Sequence, residues 1–192
     1  TLALDWSANP EILDSKLLPS EKAEFISLLE RRINEKVPTS YLLNLAYFCD
    51  KPYYVDERVL IPRSPIAELI QNRFAPYCLD ENWLPREGLN NLPENSNPQM
   101  PRRILDMCTG SGCILLSLLH YSNDATGVGV DLSEEALAVA QANAERLGLT
   151  FADDETGKEP RVRFVCSDLF EAIDEKFDFI VSNPPYIRSD VI

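Results

Sequence analysis

Residues 102–192 alternate short apolar segments with longer segments in which apolar residues recur every three or four positions. The apolar segments RRILDMC, TGVGVDL, RVRFVCSDL and FDFIVSNPPY predict four strands, and GCILLSLLHY and SEEALAVAQANAERLG predict two helices that separate the first three strands. Strands that are apolar throughout are typical of a parallel sheet covered on both faces, and right-handed crossovers make such a sheet doubly wound. The sequence therefore predicts an α/β domain in this half of the chain.

The first half of the chain has a different pattern and predicts three further parts. In chain order these are a small helical domain, a hairpin with a connecting helix, and a linker or insertion rich in proline and asparagine, over residues 1–48, 49–75 and 76–101. The main helix of the first part is predicted over 20–36, with Ser20 as its cap. The turn of the hairpin is predicted at Asp50-Lys51-Pro52.

The amino-acid composition limits the kinds of partner that the protein is expected to bind. The chain has 18 basic and 31 acidic residues and a formal charge of −13, which opposes a protein that binds a nucleic-acid backbone and suits a basic partner. No apolar stretch is long enough to cross a bilayer, so no membrane association is expected. The five cysteines form no C-x-x-C pair and there is one histidine, so we expect no metal site and a cytoplasmic protein with reduced thiols. The oligomeric state is left open.

Glycines and acidic residues gather where the first three predicted strands end. In doubly wound sheets the ligand binds outside the carboxyl ends of the strands. Glycines there permit a tight turn and a close approach of the backbone to a ligand, Asp131 can accept both hydroxyls of a ribose, and Asp168 can accept from an adenine amino group. Each feature also has a purely structural interpretation, as helix packing, a helix cap or a turn. The candidate cofactor residues are Asp106, Cys108, Thr109, Gly110, Ser111, Gly112, Asp131, Asp168 and Leu169.

The fourth predicted strand ends in Asn183-Pro184-Pro185-Tyr186. The two prolines fix the backbone and remove two N–H donors, so the local backbone offers only carbonyl acceptors. The Asn183 side-chain oxygen and the Pro184 carbonyl then form a pair of acceptors that can hold an –NH₂ group, and the Tyr186 ring can pack on a planar amide or base. Prolines can also simply end a strand, but this tetrapeptide favours a substrate site.

Together these residues resemble class I S-adenosylmethionine-dependent methyltransferases that act on planar amino groups. The resemblance implies that the loop ending in Cys108–Gly112 contacts the methionine part of S-adenosylmethionine. It implies that Asp131 holds the ribose and that Ser167-Asp168 borders the adenine. It also implies that Asn183–Tyr186 binds the substrate and that Asn183 borders the cofactor. The sequence departs from the family pattern at Cys108, where a glycine is frequent, and at Leu169, where an aromatic residue is frequent.

The segment VPTSYLLNLAYFCDKPYYVDERVLIPRSPIAELI resembles the lead-in of the protein glutamine methyltransferase family. Members of this family modify release factors and ribosomal proteins. The form PRSPI over Pro62–Ile66 is similar to the branch that acts on ribosomal protein L-three. The resemblance implies methyl transfer from S-adenosylmethionine to a glutamine side-chain amide of a basic ribosomal protein, with residues 1–48 recognising the substrate.

Four alternatives are kept open. They are a release-factor glutamine methyltransferase, a DNA adenine methyltransferase, a nicotinamide oxidoreductase, and a non-catalytic binding partner with the same fold. The acidic balance opposes the DNA enzyme, and G-x-G-x-x-G lacks its third glycine, which opposes the oxidoreductase.

The resemblance also implies a sheet of seven strands, of which residues 102–192 supply four. The C-terminal strands are therefore expected to lie outside this chain, and its fourth strand is expected to have an open edge. We expect a protein that ends at Ile192 to bind cofactor poorly, to lack activity and to self-associate.

Overall fold

A computed structural model of the chain describes residues 16–72, 74, 103–122, 125–149 and 160–185. The predicted linker over 76–101 lies outside these residues. Contacts divide the chain into two units, Thr1–Leu43 and Asn44–Ile192, and each is described by itself. No helix in the described ranges is both long enough and apolar enough to cross a bilayer.

The first unit contains helix α1, Pro19–Glu30, a π-helical turn, Arg31–Glu35, and the short helix α2, Thr39–Leu43, which the sequence did not predict. The predicted helix is present, but its predicted cap is wrong. Leu18 precedes the first helical residue and donates its N–H to Glu21 Oε2 at 2.7 Å. The helix begins before Ser20 because Pro19 has a fixed φ and lacks an N–H, which suits the first helical position.

The second unit opens with a hairpin of strands β1, Ala46–Phe48, and β2, Lys51–Tyr53, in which Phe48 lies opposite Lys51. The predicted turn position is wrong, since the loop consists of Cys49 and Asp50 alone. Both residues have positive φ, +47° and +60°, as a two-residue hairpin loop of the primed type requires. Such a loop matches the twist of the strands, so pairing resumes at Lys51 rather than after Pro52. Helix α3, Ile66–Gln71, follows.

The rest of this unit is the predicted doubly wound α/β fold. Four parallel strands lie in the order β5-β4-β3-β6, with two helices in the connections. The elements are β3 Arg103–Met107, α4 Cys113–Tyr121, β4 Thr126–Asp131, α5 Glu134–Arg146, β5 Val162–Cys166 and β6 Phe179–Ser182. Met107 lies opposite both Val130 and Ser182, so the strand ends meet at one edge of the sheet. Because β4 and β6 flank β3, the order reverses between β3 and β6, where such folds bind ligands.

The two central strands, β3 and β4, are covered on both faces, which explains why they are almost entirely apolar. On one face, Ile104 and Val162 pack with the buried side of α4 and with Ala144 of α5. On the other face, a cluster of Leu105, Met107, Val128 and Val130 packs against Ile173 and Phe177 from the connection before β6. The core therefore fixes the positions of the strand ends that form the candidate site.

Candidate functional site

A cleft of about 400 Å³ lies at the carboxyl ends of the four parallel strands. It brings together eight of the residues predicted from the sequence: Cys108, Gly110, Asp131, Ser167, Asp168, Leu169, Asn183 and Pro185. Four other candidates do not line the cleft: Asp106 belongs to β3, and Thr109, Ser111 and Gly112 belong to the loop that follows it. Tyr186 lies outside the described residues.

The loop after β3 uses its two glycines differently. Gly110 has a φ of +55°, and a Cβ built there would meet nothing within 4 Å, so its backbone borders open space at the cleft. Gly112 has a φ of +78°, and a Cβ there would lie 3.1 Å from Leu116 Cδ1 and 3.2 Å from Ala140 Cβ. Gly110 therefore leaves room for a ligand, whereas Gly112 permits α4 to pack closely on α5.

Asp131 connects the end of β4 to the glycine loop. Its Oδ2 accepts the Gly110 N–H at 2.9 Å and its Oδ1 accepts the Ser133 N–H at 3.1 Å. The helix cap is a separate side chain, because Ser133 Oγ accepts the Ala136 N–H of α5 at 3.1 Å. A carboxylate has about four acceptor positions, so Asp131 retains capacity for two further donors from the cleft.

Asp106 is fully buried beneath the same loop and does not line the cleft. Its Oδ2 accepts from Thr109 Oγ1 at 2.7 Å and from the Leu115 N–H at 3.3 Å, while its Oδ1 has no partner among the described residues. Burial raises the pKa of Asp106 to about 7, and the hydrogen bonds from Thr109 and Leu115 offset part of that effect. Through these hydrogen bonds Asp106 holds the loop after β3 in place.

The segment after β5 forms a turn at the edge of the cleft. The carbonyl of Asp168 accepts the Glu171 N–H at 3.1 Å, Ser167 Oγ accepts the Ala172 N–H at 3.0 Å, and Leu169 has a φ of +49°. Asp168 is thus a turn residue whose exposed side chain also borders the cleft.

Asn183 is held at the opposite side of the cleft by the end of β6. Ser182 Oγ donates to the Met107 carbonyl at 2.7 Å, which fixes the end of β6 to β3. The half-buried Asn183 side chain makes no hydrogen bond within the described part of the chain, so its amide is available to a ligand. Pro184 is exposed and does not line the cleft, so of the predicted acceptor pair only Asn183 borders it.

The sequence did not predict that Arg58, Val59 and Leu60 would form a wall of this cleft. Arg58 is fixed by Asp56, whose carboxylate accepts from the Arg58 backbone N–H at 3.1 Å and from Arg58 Nη2 at 2.6 Å. These hydrogen bonds lower the pKa of Asp56 to about 2. The segment lies far upstream of the parallel strands in the sequence, and its apolar residues do not recur at the spacing of a strand or a helix. The one available signal was the charged run DER inside YVDERVLIPRSP, whereas Arg63 of the same block is exposed and lies outside the lining.

The described residues of this cleft offer neither a reactive cysteine nor a group of metal ligands. Burial raises the pKa of Cys108, as do the nearby Asp131 and Asp106 charges, so its thiol stays protonated at neutral pH. Across the described ranges, no three His, Cys, Asp or Glu side chains are grouped as metal ligands. The cleft instead combines carboxylates, an available amide and open backbone, which suits a neutral or cationic organic ligand.

Comparisons with known proteins give a family for the part of the chain that contains the four parallel strands. The family model described as Methyltransferase small domain matches residues 88–191. The chain is 37% identical over all 192 residues to two proteins named ribosomal protein uL3 glutamine methyltransferase, from Neisseria meningitidis serogroup A (strain Z2491) and serogroup B (strain MC58). The chain spans 55% of the length of these relatives.

Solved structures show local matches only. A ribosomal protein L11 methylase from Lactobacillus delbrueckii subsp. bulgaricus is 26% identical, with a TM-score of 0.36, over 44% of this chain and 38% of that one. TrmN from Thermus thermophilus is 29% identical, with a TM-score of 0.36, over 44% of this chain and 23% of that one. The family-model match covers more than half of the chain, and the chain belongs to the methyltransferase small domain family.

Proposed function

We propose that this chain is part of a methyltransferase that moves a methyl group from S-adenosylmethionine to the side-chain amide nitrogen of a glutamine in ribosomal protein uL3. The observation that carries the proposal is the 37% identity along the whole chain to two proteins named for that activity. The aligned span includes the upstream segment that forms the Arg58–Leu60 wall as well as the four strand ends. A release factor is the alternative substrate.

The chemistry of the cleft fits S-adenosylmethionine. Asp131 has acceptor capacity for the ribose hydroxyls, and the open backbone at Gly110 leaves room for the methionine part. Leu132 and Leu169 line the cleft with 71% and 55% of their surfaces exposed, which offers apolar surface to a planar base beside Asp168. When bound, the sulfonium supplies a reactive methyl group and its own leaving group.

Asn183 is proposed to orient the substrate amide. An amide nitrogen is a weak nucleophile because its lone pair is delocalised, so alignment has to supply much of the rate enhancement. The Asn183 side-chain oxygen is proposed to accept one N–H of the glutamine, since of the predicted acceptor pair only Asn183 borders the cleft. No separate strong base is needed, because the nitrogen becomes acidic only as its new bond forms.

The charge of the chain supports a basic protein substrate. The formal charge of −13 favours approach of a basic partner such as a ribosomal protein, and a cytoplasmic location follows from that substrate. We also propose that the first unit helps to recognise the substrate. Its helix α1 exposes Phe25, Ile26 and Leu29, which can contact a protein chain.

The test is mass spectrometry of candidate substrates after incubation with S-adenosylmethionine and the complete methyltransferase of which this chain is proposed to be part. Purified uL3, a release factor and unmethylated DNA are compared, and we expect one uL3 glutamine to gain a methyl group. Methylation of the release factor alone would replace the substrate, and adenine methylation in DNA would contradict the proposal. The exposed variant Gln141→Ala, on the outer side of α5, is the control and should retain the parent rate.

A further inference from the structure

Asn143 is a polar residue in the core whose side-chain amide makes three hydrogen bonds. It lies on α5 with 1% of its surface exposed. Its Oδ1 accepts the Tyr54 N–H at 2.7 Å, and its Nδ2 donates to the Tyr54 carbonyl at 3.0 Å and to the Ser111 carbonyl at 2.9 Å. One acceptor and two donors are therefore satisfied by two separate parts of the chain.

Each of these two parts continues directly into a wall of the cleft. Ser111 follows Gly110, whose backbone borders open space. Tyr54 precedes the wall formed by Arg58, Val59 and Leu60. Asn143 itself is not part of the lining, so any effect it has on a ligand must act through these two segments.

The Tyr54 side chain extends this connection toward the cleft. Its O–H donates to Asp56 Oδ2 at 2.9 Å, and Asp56 in turn accepts from the Arg58 side chain. On the helix side, the Arg146 guanidinium lies 5.1 Å from the centre of the Tyr54 ring. A continuous set of contacts thus joins α5 to Arg58.

We propose that Asn143 is a positioning residue that fixes the Arg58–Leu60 wall relative to the glycine loop. Asparagine suits this role because only an uncharged amide both accepts from a backbone N–H and donates to two carbonyls. Aspartate at this place would lose both donors, and alanine would leave the Tyr54 N–H and two carbonyls without this partner. The inference that the ligand is S-adenosylmethionine rests on the proposed function. The hydrogen-bonded connection between the glycine loop and the Arg58–Leu60 wall does not.

The first experiment measures the wall itself, without any ligand. The N–H groups of Tyr54, Arg58 and Val59 donate to Asn143, to the Asp56 carboxylate and to the Asp56 carbonyl. In Asn143→Ala we expect hydrogen exchange of all three amides to speed up by roughly tenfold or more. Val139→Ala is the matched control, because Val139 is fully buried on the same helix but makes no link between the walls. Equal exchange at Arg58 and Val59 in the two variants would overturn the inference.

The second experiment measures ligand affinity by calorimetry with S-adenosylhomocysteine, in the complete methyltransferase of which this chain is proposed to be part. We expect Asn143→Ala to weaken binding by roughly tenfold, while Val139→Ala, at a similar loss of thermal stability, stays within about twofold of the parent. If Asn143→Ala does not fold, Asn143→Ser, which retains a hydroxyl, is measured in both experiments. A parent protein that binds no S-adenosylhomocysteine would contradict the proposed function, whereas unchanged affinity in Asn143→Ala would contradict the positioning role.

Discussion

Two cavities of similar size lie at opposite ends of the parallel strands, one at their carboxyl ends (the carboxyl edge) and one at their amino ends (the amino edge). They differ in whether their charged side chains are already paired within the protein. The cleft at the carboxyl edge has a volume of about 400 Å³, and the cavity at the amino edge about 320 Å³. At the amino edge, Arg103 and Arg163 both pair with Glu175. Arg161 beside them donates to backbone carbonyls of Leu119 and Ala125 at 2.7 and 3.0 Å. The three arginines at the amino edge are thus already paired with groups of the protein itself.

At the carboxyl edge the polar groups keep capacity that the described residues do not use. Asp131 accepts two backbone N–H groups and can accept more, and the Asn183 amide is available. Gly110 adds backbone that borders open space. Volume therefore does not distinguish a ligand site from a structural cavity in this protein, whereas unused hydrogen-bonding capacity does.

Removing the amide at the carboxyl edge has the largest expected effect. Asn183→Ala should lower turnover by roughly 10²-fold, the scale of losing one preorganised hydrogen-bonding group in an active site. Affinity for S-adenosylmethionine should change little, because the acceptor acts on the substrate. Steady-state kinetics with uL3 and calorimetry with the cofactor separate the two effects. Turnover at the parent rate would exclude Asn183 from the reaction.

Removing the carboxylate at the same edge should mainly affect the cofactor. Asp131→Ala should weaken S-adenosylmethionine binding by about 1–3 kcal/mol, because charge-assisted hydrogen bonds to the ligand and the contact with Gly110 are lost. Glu134→Ala is the control, since it removes the same charge from an exposed position nearby. Equal affinities for the two variants, measured by calorimetry, would remove Asp131 from the site.

The buried Asp106 predicts a pH dependence of stability behind the cleft. Its pKa is about 7 in the folded protein and 3.8 for an ordinary aspartate, so the folded state binds the proton more tightly. The resulting stability is fully present below about pH 4 and is lost as the pH rises through about 7.

Urea titrations at several pH values test this prediction. The free energy of unfolding should fall as the pH rises across that interval. Asp106→Asn, which keeps an acceptor for Thr109 and cannot ionise, should flatten this part of the profile. An unchanged profile in the variant would assign the pH dependence to other groups.

The smallest effect is expected at the amino edge. Glu175→Gln removes the charge that pairs with Arg103 and Arg163, and since these arginines are about half exposed it should cost no more than about 1 kcal/mol of unfolding free energy. Cofactor affinity should stay at the parent value. A clear loss of affinity in calorimetry would mean that the two edges are not independent.

The sequence was sufficient to place residues whose position follows from the strand that they end. Asp131 and Asn183 come at the ends of two apolar segments, and parallel strands bring such ends to one edge. It was not sufficient for Arg58, because that residue reaches the cleft through Asp56, Tyr54 and the long-range contact with Asn143. Periodicity describes local structure and carries no signal for such contacts.

The hairpin and the first helix show the same limit at short range. The sequence predicted both elements, but it placed the turn after Cys49 and the helix start at Ser20. The observed starts depend on backbone conformations, a positive φ at Cys49 and Asp50 and the fixed φ of Pro19. Residue type did not indicate the hairpin loop, because non-glycine residues rarely adopt a positive φ. For the helix, Pro19 was itself an available signal for the start.

The measurement that tests the central claim most directly is an NMR titration of backbone amides with S-adenosylhomocysteine, in the complete methyltransferase of which this chain is proposed to be part. Gly110 and Ser133 donate to Asp131 at the carboxyl edge, and Gly127 donates to the Arg161 carbonyl at the amino edge. The account predicts saturable shifts at Gly110 and Ser133 and none at Gly127. Shifts at Gly127 with no change at Gly110 and Ser133 would contradict it.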